Sequence, residues 1–180
     1  MVKHLAIEWN ITVCSFELYP GLEHLNVNER LEAASELEDT RVLGDAIEAA
    51  DAIQSDQVAI LGFCMGGMYT LKAVSSQRFS KHCSFYGMVR VPEAWKSESH
   101  SEPISCLQNG DANSVLAIVG SNDTWTPQED VDLLSSTGVT VVSYKGAEHG
   151  FAHDSSRPAH RPLDAEDAWM KAKDWILKNS

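Results

Sequence analysis

The chain has 180 residues, 43% of them apolar and 22% charged, which is enough for one domain with a substantial core over residues 1–180 and excludes a disordered or fibrous chain. A formal net charge of -12 at pH 7 argues against non-specific binding to nucleic acid or to an anionic membrane surface. Four cysteines (Cys14, Cys64, Cys83, Cys106) have no metal-ligand spacing, and the chain is too large for a disulfide-framework miniprotein.

The first residues, MVKHLAIEWN, lack the apolar core of a signal peptide, and no window approaches a membrane span, so a cytoplasmic protein is expected. Residues 2–9 read as the end of a helix, with Leu5, Ala6 and Trp9 on one side and Asn10 breaking it. Residues 11–18 are predicted as a strand that closes in a Tyr19-Pro20-Gly21 turn. After a loop over 21–28, residues 29–54 are helical, with a break near Asp39-Thr40 where the aspartate caps a second segment. Val42, Ala46, Ala49 and Ile53 form an apolar stripe facing a sheet, while Glu48 and Asp51 lie on a solvated face.

Residues 57–75, QVAILGFCMGGMYTLKAVS, organise the rest. Val58 to Leu61 is an apolar run suited to a strand buried on both faces. Gly62-Phe63-Cys64-Met65-Gly66 then forms a tight turn into an apolar-periodic helix. This is the pattern of a nucleophile elbow with cysteine in the place of serine; the hexapeptide alone equally fits a buried structural cysteine in a strand–helix turn. Gly62 and Gly66 leave room for a strained turn that lifts the Cys64 sulfur toward the N-terminal end of the helix.

Residues 82–86 form another apolar strand ending at Gly87. Residues 88–114 are a long polar excursion, read either as a lid or binding loop or as a plain mobile connection. Residues 115–119 are a buried strand ending in Gly-Ser-Asn-Asp123, Pro127 opens a helix through Leu134, and 139–144 is the next strand. A loop over 145–153 carries Glu148 and His149, and Asp164 is placed as the cap of a last helix with Ala165, Ala168, Trp169, Ala172 and Ile176 on one face. Alternating strands and helices with continuous apolar strand runs predict a three-layer α/β sandwich, its sheet mostly parallel and covered by helices on both faces.

The active site of such a sheet lies beyond the carboxyl ends of its strands, where Cys64, Asp123 and His149 each follow a predicted strand. A cysteine nucleophile needs a base, and the base a partner that fixes its tautomer. Singly, Asp123 reads as a turn or capping residue and His149 as a surface histidine. Together they appear in the nucleophile–acid–histidine order of α/β-hydrolases.

On these residues the chain resembles the dienelactone hydrolase family of cysteine-dependent α/β-hydrolases. The matching stretches are GFCMGG at 62–67, GSNDTWTP at 120–127, YKGAEHGFAH at 144–153, DAEDAWMKAKDWIL at 164–177 and ITVCSFELYPG at 11–21. The resemblance implies an ester or lactone hydrolase working through a thioester acyl-enzyme on a small-molecule substrate. It makes Cys64 the nucleophile, His149 base and then acid, and Asp123 its orienter. The Met65 N–H would be an oxyanion donor, with Phe63, Trp125, Phe151 and His153 around the substrate, and no metal or cofactor is implied.

The family also implies parts not matched here. It begins with a further strand and a loop upstream of the helix ending near Trp9, supplying a second oxyanion donor and a glutamate against the cysteine. That strand would sit between the 11–18 and 58–61 strands. The chain therefore reads as an N-terminally truncated form, and the alternative is an impaired or non-catalytic protein completed by a longer chain, a strand-completing partner or a homodimer. Dienelactone hydrolases carry an arginine four residues past the histidine, where this chain has His153; Arg30 stands loosely near a second family arginine, and Arg157 and Arg161 are close in sequence. Class I glutamine amidotransferases share a Gly-x-Cys-x-Gly elbow, but pair it with a His-x-Glu unit where His149 is followed by Gly-Phe.

Overall fold

The computed structural model describes residues 1–178. Four strands, β1 (Ala59–Phe63), β2 (Lys81–Phe85), β3 (Val115–Gly120) and β4 (Thr140–Tyr144), form one parallel sheet in the order β1-β2-β3-β4. Leu61 pairs beside Cys83, Ser84 beside Ala117 and Ile118 beside Val142. Every residue of β3 is buried, which explains its unbroken apolar run: a central strand with both faces covered has no side for water.

Among the described residues seven α-helices surround the sheet: α1 (Val2–Trp9), α2 (Val27–Glu32), α3 (Asp39–Ala52), α4 (Met65–Lys72), α5 (Pro103–Gln108), α6 (Gln128–Ser136) and α7 (Pro162–Leu177). Alternate strand residues choose the layer. Cys83, Phe85, Leu116 and Ile118 pack on the Ala165, Ala168 and Ala172 stripe of α7, with Trp9 of α1 alongside. Val115 and Ala117 face the other way onto Leu71 of α4, Leu107 of α5 and Leu134 of α6. Ala46 and Ala50 of α3 extend that second layer against Val58, Ala73 and Phe79. The result is a three-layer α/β sandwich, as the pattern predicts.

Several elements differ from expectation. Residues 11–18 are not a strand: they carry no strand assignment, and residues 12–17 make no backbone–backbone hydrogen bond. An extended run becomes a strand only when a ladder partner lies beside it, and β1 does not reach this segment. Phe16 and Leu18 instead anchor it by packing beside Tyr19, Met65 and Met68. The helical stretch after Asn26 breaks at extended Leu37 into α2 with a 3-10 turn (Ala33–Glu36), and then α3. Asn26 caps α2 in a reciprocal box with Glu29.

Residues 88–114 hold α5 and two 3-10 turns, Glu93–Trp95 and Ala112–Ser114. The Asp39 carboxylate straps them to α3, accepting from Ser101 N–H at 2.7 Å and, on its other oxygen, from the fully buried Lys72 ammonium at 2.7 Å. Asp164 does not cap α7. Arg161 is the N-cap and Pro162 opens the helix, while Asp164 sits in the first turn and pairs with Arg161 at 2.6 Å, where the helix dipole favours an acid.

Candidate active site

β1 runs directly into Cys64, and Cys64 into α4. Cys64 has φ 53° and ψ -119°, a backbone conformation that costs a non-glycine residue free energy and persists only where its surroundings hold it. Its N–H donates to the Phe85 carbonyl at 3.0 Å, and its own carbonyl accepts from Met68 N–H at 2.9 Å. The turn needs Gly62, because a β-carbon there would sit 2.1 Å from the Gly66 carbonyl oxygen. Gly66 contributes its backbone to that approach, while a β-carbon of its own would meet open space. Met65 is the first residue of α4, so its N–H, like the others of the first turn, has no intrahelical acceptor.

Asp123 follows β3 in a tight turn and is 4% exposed. One carboxylate oxygen accepts from Trp125 N–H at 2.8 Å; the other accepts from His149 Nδ1–H at 2.8 Å, with the imidazole rising from the loop after β4. That bond leaves His149 Nε2 as the atom that exchanges a proton; it is buried and has no hydrogen-bond partner among the described residues. Burial would depress the imidazole pKa; Asp123 and the neighbouring Cys64 sulfur outweigh it and raise the value to about 9. Asp123 and His149 are thus bonded to each other beyond the carboxyl ends of β3 and β4, with Cys64 near enough to bear on the imidazole.

The remaining predicted positions separate. Trp125 is 42% exposed, stacks on Trp95 with ring centres 5.6 Å apart and lies 6.2 Å from the His149 ring, forming an aromatic wall at the mouth. Trp95 comes from the short turn Glu93–Trp95, so residues 88–114 do contribute to this wall. Phe63 packs among Phe85, Tyr86 and Trp169 and reaches the His153 ring at 5.2 Å. Phe151 is a correction: it is wholly buried between Tyr86 and Tyr144 and has no surface to offer a substrate. Arg30 is held locally, donating to Glu17 at 3.0 Å, to the Leu25 carbonyl at 3.1 Å and to the Glu23 carbonyl at 3.0 Å, which leaves it little to offer the site.

Tyr86 is the residue that sequence reasoning missed. It directly follows β2 with φ 40°, lies fully buried with its ring 5.1 Å from that of His149, and its hydroxyl donates to His153 Nδ1. Burial raises the phenol pKa, so the donor stays protonated; burial and Arg157 lower that of His153, which stays a neutral acceptor. The available signal was its place, between an apolar strand and Gly87. Among the described residues no group of three His, Cys, Asp or Glu side chains is gathered to hold a metal.

The model of the dienelactone hydrolase family matches residues 16–180. A relative from Bradyrhizobium, named as a 2-oxo-3-(5-oxofuran-2-ylidene)propanoate lactonase, is 30% identical over 174 residues, covering 88% of this chain and 67% of its own length. A relative from Synechocystis, named as a carboxymethylenebutenolidase, is 28% identical over 171 residues, covering 86% of this chain and 68% of its own. A solved structure named as a dienelactone hydrolase from Klebsiella pneumoniae superimposes with a TM-score of 0.76 at 25% identity, over 89% of this chain and 70% of that one. A monoacylglycerol lipase from Paleococcus ferrophilus, 13% identical with a TM-score of 0.53 over 74% of each chain, shares the fold. The chain spans about two thirds of the length of its curated relatives, and with the family model matched from Phe16 onward it belongs to the dienelactone hydrolase family.

Proposed function

We propose that this protein hydrolyses a small carboxylic ester or lactone through a thioester formed on Cys64. The observation that carries the reading is the 2.8 Å bond from His149 Nδ1–H to buried Asp123, which leaves an unpartnered Nε2 beside the thiol at a strained elbow. In this reading His149 Nε2 takes the thiol proton and the sulfur attacks the substrate carbonyl. The charge developing on the carbonyl oxygen is met by the Met65 N–H at the start of α4. Collapse of the tetrahedral adduct breaks the acyl C–O bond, and the leaving alkoxide takes the proton back from His149. Water, deprotonated by the same nitrogen, then attacks the thioester; the acid leaves and the thiol is restored.

The names of the Bradyrhizobium and Synechocystis relatives support the lactone half of this reading, and the aromatic wall of Trp125 on Trp95 suits a flat, conjugated acyl group. The test is p-nitrophenyl acetate turnover with purified wild type and Cys64→Ala. Loss of turnover in the variant, with an acetyl group found on Cys64 of wild type by peptide mass, is expected. Undiminished turnover by Cys64→Ala would overturn the reading.

A further inference from the structure

Asp123 fixes His149 at one atom only, Nδ1. A hydrogen bond keeps most of its strength over a bend of about 30°, and such a bend swings the far nitrogen of an imidazole by roughly 1 Å. His149 Nε2 has no partner of its own among the described residues, so its aim depends on what packs against the ring. Two aromatic side chains stand beside that ring. Trp125 lies 6.2 Å away at the exposed mouth; Tyr86 lies nearer, at 5.1 Å and an angle of 63°, and is wholly buried. That edge-to-face approach is a preferred contact between aromatic rings.

The fold holds Tyr86 from both ends. Its backbone lies at φ 40°, in the left-handed region that favours glycine, and its N–H donates to the Ile118 carbonyl of β3 at 2.7 Å. Strain of this kind persists where the surroundings enforce it, and it gathers at functional sites. The ring packs against Phe63, Phe85 and Phe151, with centres 6.1, 6.0 and 5.8 Å away. At its far end the hydroxyl donates to His153 Nδ1. His153 is itself steadied: its ring rests 5.2 Å from that of Phe63, and the carbonyl of the preceding, buried Ala152 accepts from Trp169 Nε1 at 3.0 Å. Burial and Arg157 keep His153 neutral and able to accept. Tyr86 therefore engages the loop of His149 at two points, with its ring on His149 and its hydroxyl four residues further on.

We propose that Tyr86 is a positioning residue for the hydrolysis at Cys64: braced by His153, its ring holds the plane of His149 so that Nε2 stays aimed first at the thiol and then at the attacking water. The proposal rests on the reading of the site given above. It gives His153 a bracing role within the fold that needs no contact with substrate. A misplacement of about 1 Å costs a reaction up to about 100-fold. Removing the hydroxyl loosens the brace and leaves the ring in place, so the expected loss is smaller, about tenfold.

Tyr86→Phe tests this with p-nitrophenyl acetate. Its kcat should fall about tenfold with KM within about twofold of wild type, since ground-state binding is untouched. His153→Leu should give the same loss, and the double variant about the same loss as either single one, because both cut one bond. His153→Gln, whose amide oxygen can accept from the phenol, should recover most of what His153→Leu loses. A second readout needs no substrate. The Nδ1 proton that His149 holds against Asp123 should give a low-field proton resonance in wild type and in His153→Gln, and this should broaden or vanish in Tyr86→Phe. A wild type without esterase activity, or Cys64→Ala as fast as wild type, defeats the hydrolase reading, and the resonance then tests the brace by itself. The proposal is overturned by a Tyr86→Phe kcat within about threefold of wild type, by a loss carried in KM, or by additive losses in the double variant. It is equally overturned if His153→Gln is as slow as His153→Leu, or if the resonance is missing from wild type or unchanged in Tyr86→Phe.

Discussion

Asp123 holds His149 in one tautomer with a single 2.8 Å bond while its other oxygen is tied to Trp125 N–H at 2.8 Å, so the carboxylate has no freedom to turn away. In Asp123→Asn the amide keeps the shape, but an NH2 turned to Nδ1 favours the opposite tautomer and places the proton on Nε2. The expected loss in kcat on an activated ester is about 10³ to 10⁴-fold, by analogy with the serine-protease aspartate, at nearly unchanged KM. A loss shared between kcat and KM would point to general disturbance of the site instead. Arg157 makes a different prediction. Its guanidinium lies over Gly150, so close that a β-carbon there would stand 2.6 Å from Nη1, and among the described residues it forms no ion pair within 4 Å. With Arg30 held by Glu17 and two backbone carbonyls and His153 neutral, Arg157, whose charge bears on His153, has capacity for an anionic substrate. Arg157→Ala should lower kcat/KM for a carboxylate-bearing ester about tenfold relative to its neutral methyl analogue, the effect of losing one charge-assisted bond. Equal effects on the two esters would remove Arg157 from recognition.

At the scale of elements, the pair Lys72–Asp39 joins α4, α3 and residues 88–114. Lys72 is wholly buried at its 2.7 Å contact, and burying two charges stabilises little; breaking the pair is what costs. Lys72→Met alone should destabilise by about 3–5 kcal/mol, because it leaves Asp39 buried without a counter-charge. Lys72→Met with Asp39→Asn should recover at least half of that, read from urea unfolding; a double variant no better than the single would mean that Lys72 acts by packing. The same contact shows why part of the fold was hidden from the sequence. Residues 88–114 look like a loop because the partners that hold them, Asp39 with Ser99 and Ser101, lie some 60 positions away. Residues 11–18 look like a strand because extended preference is local while ladder pairing is not. Tyr86 and His153, 67 residues apart, had no local signature at all. The placing of the candidate residues Cys64, Asp123 and His149 beyond strand ends was legible for the opposite reason: each comes shortly after an apolar strand, and chain order alone brings strand ends to one edge of a parallel sheet.

For the molecule as a whole, two histidines pull the pH dependence of stability in opposite directions. His149 ordinarily titrates near 6.5 and holds its proton to about 9 in the fold, with Asp123 and the Cys64 sulfur overcoming burial. Its contribution is therefore complete below the unfolded value and lost as pH rises from 6.5 through 9. His82 is the reverse. It lies 2% exposed in β2 with Nδ1 2.9 Å from the Ser114 hydroxyl and Nε2 unpartnered, and burial lowers its pKa to about 4. Its neutral form is what the core accepts, so the unfolded chain gains a proton that the native protein refuses as pH falls from 6.5 through 4. Each shift spans between two and three pH units, so each limb is worth on the order of 3 kcal/mol. Unfolding free energy should consequently peak between pH 6 and 7 and fall on both sides. The limbs separate by substitution. Asp123→Asn should flatten the alkaline limb and leave the acid limb intact, whereas His82→Gln, which keeps a polar partner for Ser114 but cannot charge, should flatten the acid limb alone. Urea unfolding of the three proteins between pH 4 and 9.5 tests this, and a wild-type maximum at pH 8 or above would show that the alkaline limb does not belong to His149.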